Sequence, residues 1–452
     1  MTRRSASTTG PRSMADSNVR IEQIAIPAVR LLAHRPRLAH ALFRMTNDES
    51  PFDPDYYVDP YKSLEAVRQK YGQVYYRKVF RQWFVVGDDE ALELLRSPSL
   101  SVSSAVDVFM DVRPYSQLSD EAKASFVRWL LFVDPPDHTR LRGLVQRAFT
   151  PNTIRASEPR LRAIADELLA KIADQRIPDV VASFTSPLPV YAIGELLGLP
   201  PERWSWLKSA SDDITGLIDP LHGFDPNVVS ARIAELNAYF TEVIAQRRAQ
   251  PRDDLISVLV TASDNGERLD NEELLAMLGF LLFAGHETTT ALIGNSLVAL
   301  AQHPEQRTLL RQRPELIDNA VEELIRFDTS VQATPRSTTG PVSVGGRTIP
   351  AGKSVTILWG LVNRDVRRWT DADNLRLDRP DPKPLSFGHG IHHCLGASLA
   401  RLELRVAIPA FLEAFGDYEV NPATTKWKRS LSVRGPMVLP ITRASAPAAQ
   451  RP

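Results

Sequence analysis

The chain has 452 residues, 43 % hydrophobic and 24 % charged, a globular composition with enough apolar material for a large buried core. Its 54 basic and 54 acidic side chains cancel to a formal net charge of +0, so no whole-molecule field recruits nucleic acid. A single cysteine excludes an intramolecular disulfide, and with it the secreted disulfide-scaffold class, and favours a reducing compartment.

Residues 1–46 form a basic arm in which Arg3, Arg4, Arg12, Arg20, Arg30, Arg35, Arg37 and Arg44 face only Asp16 and Glu22. It lacks the apolar core and cleavage site of a secretory signal and reads as disordered or loosely docked. The same composition suits a mitochondrial transit peptide, and residues 21–43 could form an amphipathic surface helix. Residues 47–445 are expected to be one domain, followed by a short tail at 446–452.

Within the domain, residues 60–71 predict a helix with Leu64 and Val67 on one face. Residues 73–80 and 82–86, rich in Val, Tyr, Phe and Trp, predict a hairpin closed before Gly87 and Asp88, and 89–95 returns to helix. Amphipathic helices repeat over 120–175 and 201–249, broken at Pro135–Pro136, Pro151 and Pro178. Residues 271–302 predict one long central helix. Its most apolar stretch, 274–285, is too short to cross a bilayer, so no transmembrane anchor is expected. Two helices around Pro314 follow, then short strands over 334–359 separated by Gly340, Gly345–Gly346 and Gly352. An irregular Pro-rich stretch, 362–384, leads to the cysteine loop and a last helix at 397–415. The expected class is mainly α with a small β region, without internal repeats.

The loop Phe387-Gly388-His389-Gly390-Ile391-His392-His393-Cys394-Leu395-Gly396 sets the only cysteine at a helix start. The amides of Leu395 and Gly396, with the positive end of the helix dipole, would favour a thiolate. Without context, a lone cysteine is a small buried hydrophobe. His389, His392 and His393 also raise a zinc or copper site, although adjacent residues chelate poorly as a tetrahedral set. The loop resembles the cysteine signature of the cytochrome P450 family, Phe-x-x-Gly-x-x-x-Cys-x-Gly, at every fixed position.

The resemblance runs from about residue 47 to 442 with the motifs in family order, and it implies a helical prism around haem b. Cys394 would be the axial iron ligand, with Phe387 and Gly396 shaping its surroundings. In Glu323-Leu324-Ile325-Arg326 an acid and a base share a helix face, ordinarily a solvated pair. The family adds an arginine from the irregular stretch, here Arg379, to make a structural clamp. His138 and Arg142 lie four apart after Pro135–Pro136. With Arg336 and His392 they match the family's propionate ligands.

Ala284-Gly285-His286-Glu287-Thr288-Thr289 breaks the apolar central helix with an acid–alcohol pair. Read alone, it is equally a Thr-rich turn with back-bonded hydroxyls. The match to the family's motif implies oxygen activation. Gly285 would leave room for dioxygen, Thr288 would hydrogen-bond it, Glu287 would relay protons, and Ala284 would border the haem and the substrate. Such an enzyme uses dioxygen and two electrons to hydroxylate or epoxidise a molecule. The residues matching the pocket, 106–115, 207–224, Val331, Leu431 and Val433, are mainly apolar and favour a lipophilic one.

The resemblance to soluble bacterial members implies a cytoplasmic monomer fed from NAD(P)H through a ferredoxin reductase and a ferredoxin. Arg140, Arg147 and Arg401 are candidates for steering that acidic partner. Other classes remain open on the sequence: a haem-thiolate sensor or ligand-binding protein without turnover, and a non-haem enzyme with Cys394 as nucleophile and His392 or His393 as base.

Overall fold

The computed structural model describes residues 54–443, except 79, 111–112, 148, 219–222 and 263–267, together with Arg35. The rest of the 1–46 arm and the 446–452 tail lie outside the described residues. The elements that frame the site are α1 (Tyr61–Tyr71), α2 (Asp137–Gln146), α3 (Pro187–Leu196), α4 (Trp204–Ile214), α5 (Pro226–Ala249), α6 (Asn271–Gln302), α7 (Ile317–Phe327) and α8 (Ala397–Phe415).

The α6 helix is the axis of the molecule. It starts with a capping box, in which the Asp270 side chain accepts from the Glu273 amide at 2.8 Å and the Glu273 carboxylate accepts from the Asp270 amide at 3.0 Å. Ala276, Met277 and Leu278 are buried on different sides of the helix, because α3, α4, α5 and α8 pack around it. By length and composition α6 could cross a membrane, but 67 % of its most apolar window is buried in the protein. Its hydrophobicity is spent on the core.

The α3 helix fell outside the predicted helical stretches. It is apolar all round, so no polar face marks it, and Pro187 and Pro189 discourage a helical reading. Both sit in the first turn, where a missing N–H breaks no intrahelical bond. The α8 helix, which follows the cysteine loop, packs on α6 and α7 and carries Pro409 internally.

The expected hairpin is β1 (Val74–Arg77) and β2 (Gln82–Val85), in register from Val74 opposite Val85 to Arg77 opposite Gln82. It joins a five-stranded sheet with β3 (Leu100–Ser101), β4 (Ala333–Thr338) and β7 (Ser354–Leu358) in the order β1-β2-β7-β4-β3. β5 (Val342–Val344) and β6 (Arg347–Ile349) form the hairpin between β4 and β7. Pairing is parallel only between β2 and β7, where Val85 lies beside Ile357. Val85, Val344, Ile349, Val355, Ile357 and Trp359 make a second small core on this sheet. Four further strands, β8 (Tyr418–Val420), β9 (Lys426–Trp427), β10 (Pro436–Val438) and β11 (Ile441–Arg443), were not foreseen. They are two or three residues long, too short for an alternating pattern to be visible.

Candidate functional site

The cysteine loop is folded by its own backbone. Gly388 and Gly390 take φ of 71° and 74°, the left-handed region that a side chain disfavours. The Cys394 amide donates to the Phe387 carbonyl at 2.9 Å, and the Gly388 amide to the Leu385 carbonyl at 2.8 Å. Cys394 is a free, accessible cysteine, but the protein packed around it withholds water from the thiol. Burial pushes the thiol pKa up. The Gly396 N–H, Arg142 and Arg401 pull it down without prevailing. The expected thiolate therefore does not follow from the helix start alone, because desolvation outweighs one amide and two cations. A bound metal cation would supply the missing positive charge.

A cluster of basic groups lies beside this loop. His138 of α2 is 2 % exposed, and neither of its ring nitrogens has a hydrogen-bond partner. Its ring is 4.2 Å from that of His392. Burial, then the neighbouring His138 and Arg336, push the His392 imidazole down to about 3. Burial also lowers Arg336 to about 10, and lowers Arg142 with Cys394 opposing. Asp134, an acid that acts on this cluster, is taken up by Ser101, Ser103 and the Val102 amide. Four donors with mutually unfavourable charge and orphaned buried nitrogens thus face one another without an anion. Haem, with two carboxylates and an iron that accepts a thiolate, fits this set. A zinc or copper site does not. His392 turns onto His138, and no three metal-ligating side chains come together among the described residues.

The acid–base pair on α7 is buried rather than solvated. Glu323 receives Arg326 through both carboxylate oxygens at 2.7 and 2.8 Å, and Arg379 at 2.9 Å. The two guanidiniums also donate to the carbonyls of Asn363, Thr370, Asp371, Ala372 and Asn374, so they hold the irregular stretch in place. Asn363 continues the chain of contacts to the cysteine loop. Its side chain donates to Ser386 Oγ at 2.7 Å and accepts from the Leu385 amide at 2.9 Å. Neither Asn363 nor Ser386 carried a sequence signal, since a single amide and a hydroxyl in a Pro-rich stretch have no periodicity to reveal them.

On α6, each residue of the polar turn is tied differently. Thr288 Oγ1 donates to the Ala284 carbonyl at 2.9 Å, leaving the oxygen's lone pairs available. Glu287 forms an ion pair with Lys428, both side chains being 11 % exposed. Neither Glu287 oxygen has a partner of hydrogen-bonding geometry, so the contact is ionic. Thr289 bonds Glu403 of α8. A Cβ built on Gly285 would meet nothing within 4 Å, so the helix borders open space there.

The architecture is shared with known proteins. The family model for cytochrome P450 matches residues 203–442. The P450 monooxygenase PikC of Streptomyces venezuelae is 37 % identical over 395 residues, 86 % of this chain and 92 % of PikC. The chain belongs to the cytochrome P450 family.

The vitamin D(3) 25-hydroxylase of Pseudonocardia autotrophica is 42 % identical over 69 % of this P450 and 77 % of its own length. Among solved structures, the P450 PksS of the Bacillus subtilis bacillaene polyketide synthase covers 87 % of this chain and 99 % of its own at TM-score 0.77 and 31 % identity. This P450 is thus a monooxygenase-family enzyme with a mainly helical fold, as expected.

In this P450 the residues matched to the substrate pocket come from separated segments. Ala284, Val331 and Leu431 are half-buried, whereas Val433 is 2 % exposed and bridges Val331. The Gln332 amide donates to the Ser432 carbonyl at 2.8 Å and the Arg434 amide to the Ser330 carbonyl at 2.7 Å, fixing the two segments together. Parts of the 106–115 and 207–224 segments lie outside the described residues. Two of the expected steering arginines are already neutralised, Arg140 by Glu273 and Arg401 by Glu322. Their long-range pull on an acidic partner is reduced accordingly.

Proposed function

We propose that this P450 is a haem-thiolate monooxygenase that hydroxylates or epoxidises a lipophilic small molecule. The observation that carries the reading is the pairing of Cys394 with four anion-seeking groups, His138, Arg142, Arg336 and His392, beside the helix that bears Thr288. Cys394 would hold the iron, and the four basic groups the propionates, turning their unfavourable mutual charge into salt links. When bound, haem supplies the iron at which dioxygen is reduced, one oxygen atom entering the substrate and the other leaving as water.

The protein's own residues supply the rest. The Gly396 amide, Arg142 and Arg401 stabilise negative charge at Cys394 Sγ. The aromatic ring of Phe387 lies under the Arg401 guanidinium at 4.4 Å and screens the sulfur side from water. Thr288 Oγ1, its own proton given to the Ala284 carbonyl, would accept a hydrogen bond beside the open space at Gly285 and so hold a proton-bearing group there, and the Glu287 carboxylate would relay protons to it. Ala284, Val331 and Leu431 orient an apolar substrate and exclude water.

The chain holds one cysteine and so no ligand set for an iron–sulfur cluster. A ferredoxin and its reductase would pass two electrons from NAD(P)H, in a cytoplasmic setting. The relative named as a vitamin D(3) hydroxylase supports an apolar substrate class.

The test is the reduced, carbon-monoxide difference spectrum of the haem-loaded protein, followed by a screen of lipophilic compounds for a high-spin shift. A thiolate-type band is expected, together with a shift for some apolar compounds. A band typical of neutral-ligand haem, or no haem uptake after haem-replete expression, would overturn the reading.

A further inference from the structure

His286 lies between Gly285 and Glu287 in the polar turn of α6, and the reading of that turn gives it no part. Its ring is 3 % exposed. Nδ1 is 2.8 Å from Ser211 Oγ on α4, and Nε2 is 3.2 Å from Ser186 Oγ, just before α3. Ser211 is itself fully buried on the face of α4 that carries Leu207, Ala210 and Ile214. Asp212 of α4 stands 3.9 Å from Nε2 on the more exposed side.

Burial pushes the imidazole down to about 4, with Asp212 opposing and Lys208 and Lys428 assisting. The ring is therefore neutral near pH 7, with one donor and one acceptor nitrogen. Two serine hydroxyls can satisfy both. A leucine of similar volume would fill the site without desolvating any polar group, so packing alone does not explain an imidazole with two hydroxyl partners.

The position in the turn gives the contact its meaning. One residue earlier, Gly285 borders open space, and one and two residues later stand Glu287 and Thr288. α4 lies in the segment matched to the substrate pocket. We propose that His286 is a positioning residue that couples α4, the roof of the pocket, to the oxygen-activating turn through its bond to Ser211. A displacement of α4 by what it contacts pulls on the His286 ring, and the backbone that carries Glu287 and Thr288 follows. Ser186 anchors the other nitrogen, so that the ring pivots rather than translates. The inference rests on the reading of the 284–289 turn as the oxygen-facing one.

Ser211→Ala cuts only the roof tie, and His286→Leu cuts both. The haem-loaded protein and its variants are compared by deuterium uptake of the 204–214 amides and by the infrared C–O stretch of the carbon monoxide complex. For Ser211→Ala, uptake is expected to rise about three- to tenfold, as for loss of one buried hydrogen bond from a helix-docking contact. The C–O band is expected to shift or broaden, because carbon monoxide probes the polarity beside Thr288. The double variant should change neither readout beyond the larger single effect, and His286→Asn, which keeps a polar atom towards Ser211, should restore the native band.

Faster uptake with an unchanged C–O band in Ser211→Ala would overturn the coupling, as would additive effects in the double variant. Ser211→Ala alone decides the matter if His286→Leu does not fold. A wild-type carbon monoxide complex without thiolate-type absorption would overturn the underlying reading of the site instead.

Discussion

Glu403 sits on α8, 1 % exposed, with Thr289 as its bonding partner and one carboxyl oxygen unpartnered. Burial pushes its pKa up to about 8 from an ordinary 4.5, and the Thr289 hydroxyl only partly offsets this. The folded state therefore binds this proton more tightly than the unfolded state. Stability is fully retained below about 4.5 and falls as pH rises towards about 8, with a slope of up to about 1.4 kcal/mol per pH unit. Glu403→Gln should abolish that loss, matching the wild type in urea denaturation at acidic pH and exceeding it at alkaline pH. Equal stabilities at both ends would refute the assignment. Thr288, one residue before Thr289, makes its only bond to its own helix, so its hydroxyl is not needed for folding. Thr288→Ala should leave thermal stability nearly unchanged while diverting reducing equivalents to hydrogen peroxide, about tenfold or more relative to product, through loss of a hydrogen-bonding group that positions the delivered proton. A peroxide assay alongside product quantification checks this.

Elements were legible where a long pattern existed and illegible where it did not. The bounds of α6 could be read from the sequence because a long apolar run starts after the capping residue Asp270, and those of α8 because an apolar run lies between Gly396 and Gly416. The all-apolar α3 and the short β8 to β11 offered no such contrast. Glu323 and Arg326 were visible as an i, i+3 pair, but their burial was not. It depends on Arg379 and the carbonyls of the irregular stretch closing over α7. That closure makes the clamp an element-scale device, since it ties α7 to the segment entering the cysteine loop. Glu323→Gln removes the one anion between two buried guanidiniums and should cost about 3 kcal/mol or more, as for breaking a buried ion pair from one side. Thermal unfolding would register the loss. The ratio of haem to protein absorbance would fall with it, because Asn363 and Ser386 transmit the clamp to the loop.

At the scale of the whole molecule, the set proposed to hold haem is assembled from four remote stretches: α2, the central helix, β4 and the cysteine loop. Motif order along the chain could nominate His138, Arg142, Arg336 and His392, but only the packing of α2 and β4 against the loop brings them face to face. Nothing local in the sequence encodes that encounter. It follows from α6, whose first turn is tied to α2 through Glu273 and Arg140 and whose far side receives α8. The assembled cluster has an energetic signature that depends on its ligand. Without an anion, the orphaned His138 nitrogens are desolvated with nothing in return, so His138→Leu should be neutral or stabilising in haem-depleted protein. With haem loaded, the same substitution removes a hydrogen-bond donor from a buried carboxylate. It should then destabilise by about 1.5–3 kcal/mol, the range for hydrogen bonds to charged groups. Haem itself should raise the unfolding midpoint through linkage, because it binds the folded chain in preference to the unfolded one. Urea denaturation of both forms of both proteins gives four free energies. The expected result is that His138→Leu has opposite effects, or no effect and a loss, in the depleted and loaded states. An equal loss in both would show that His138 serves packing alone.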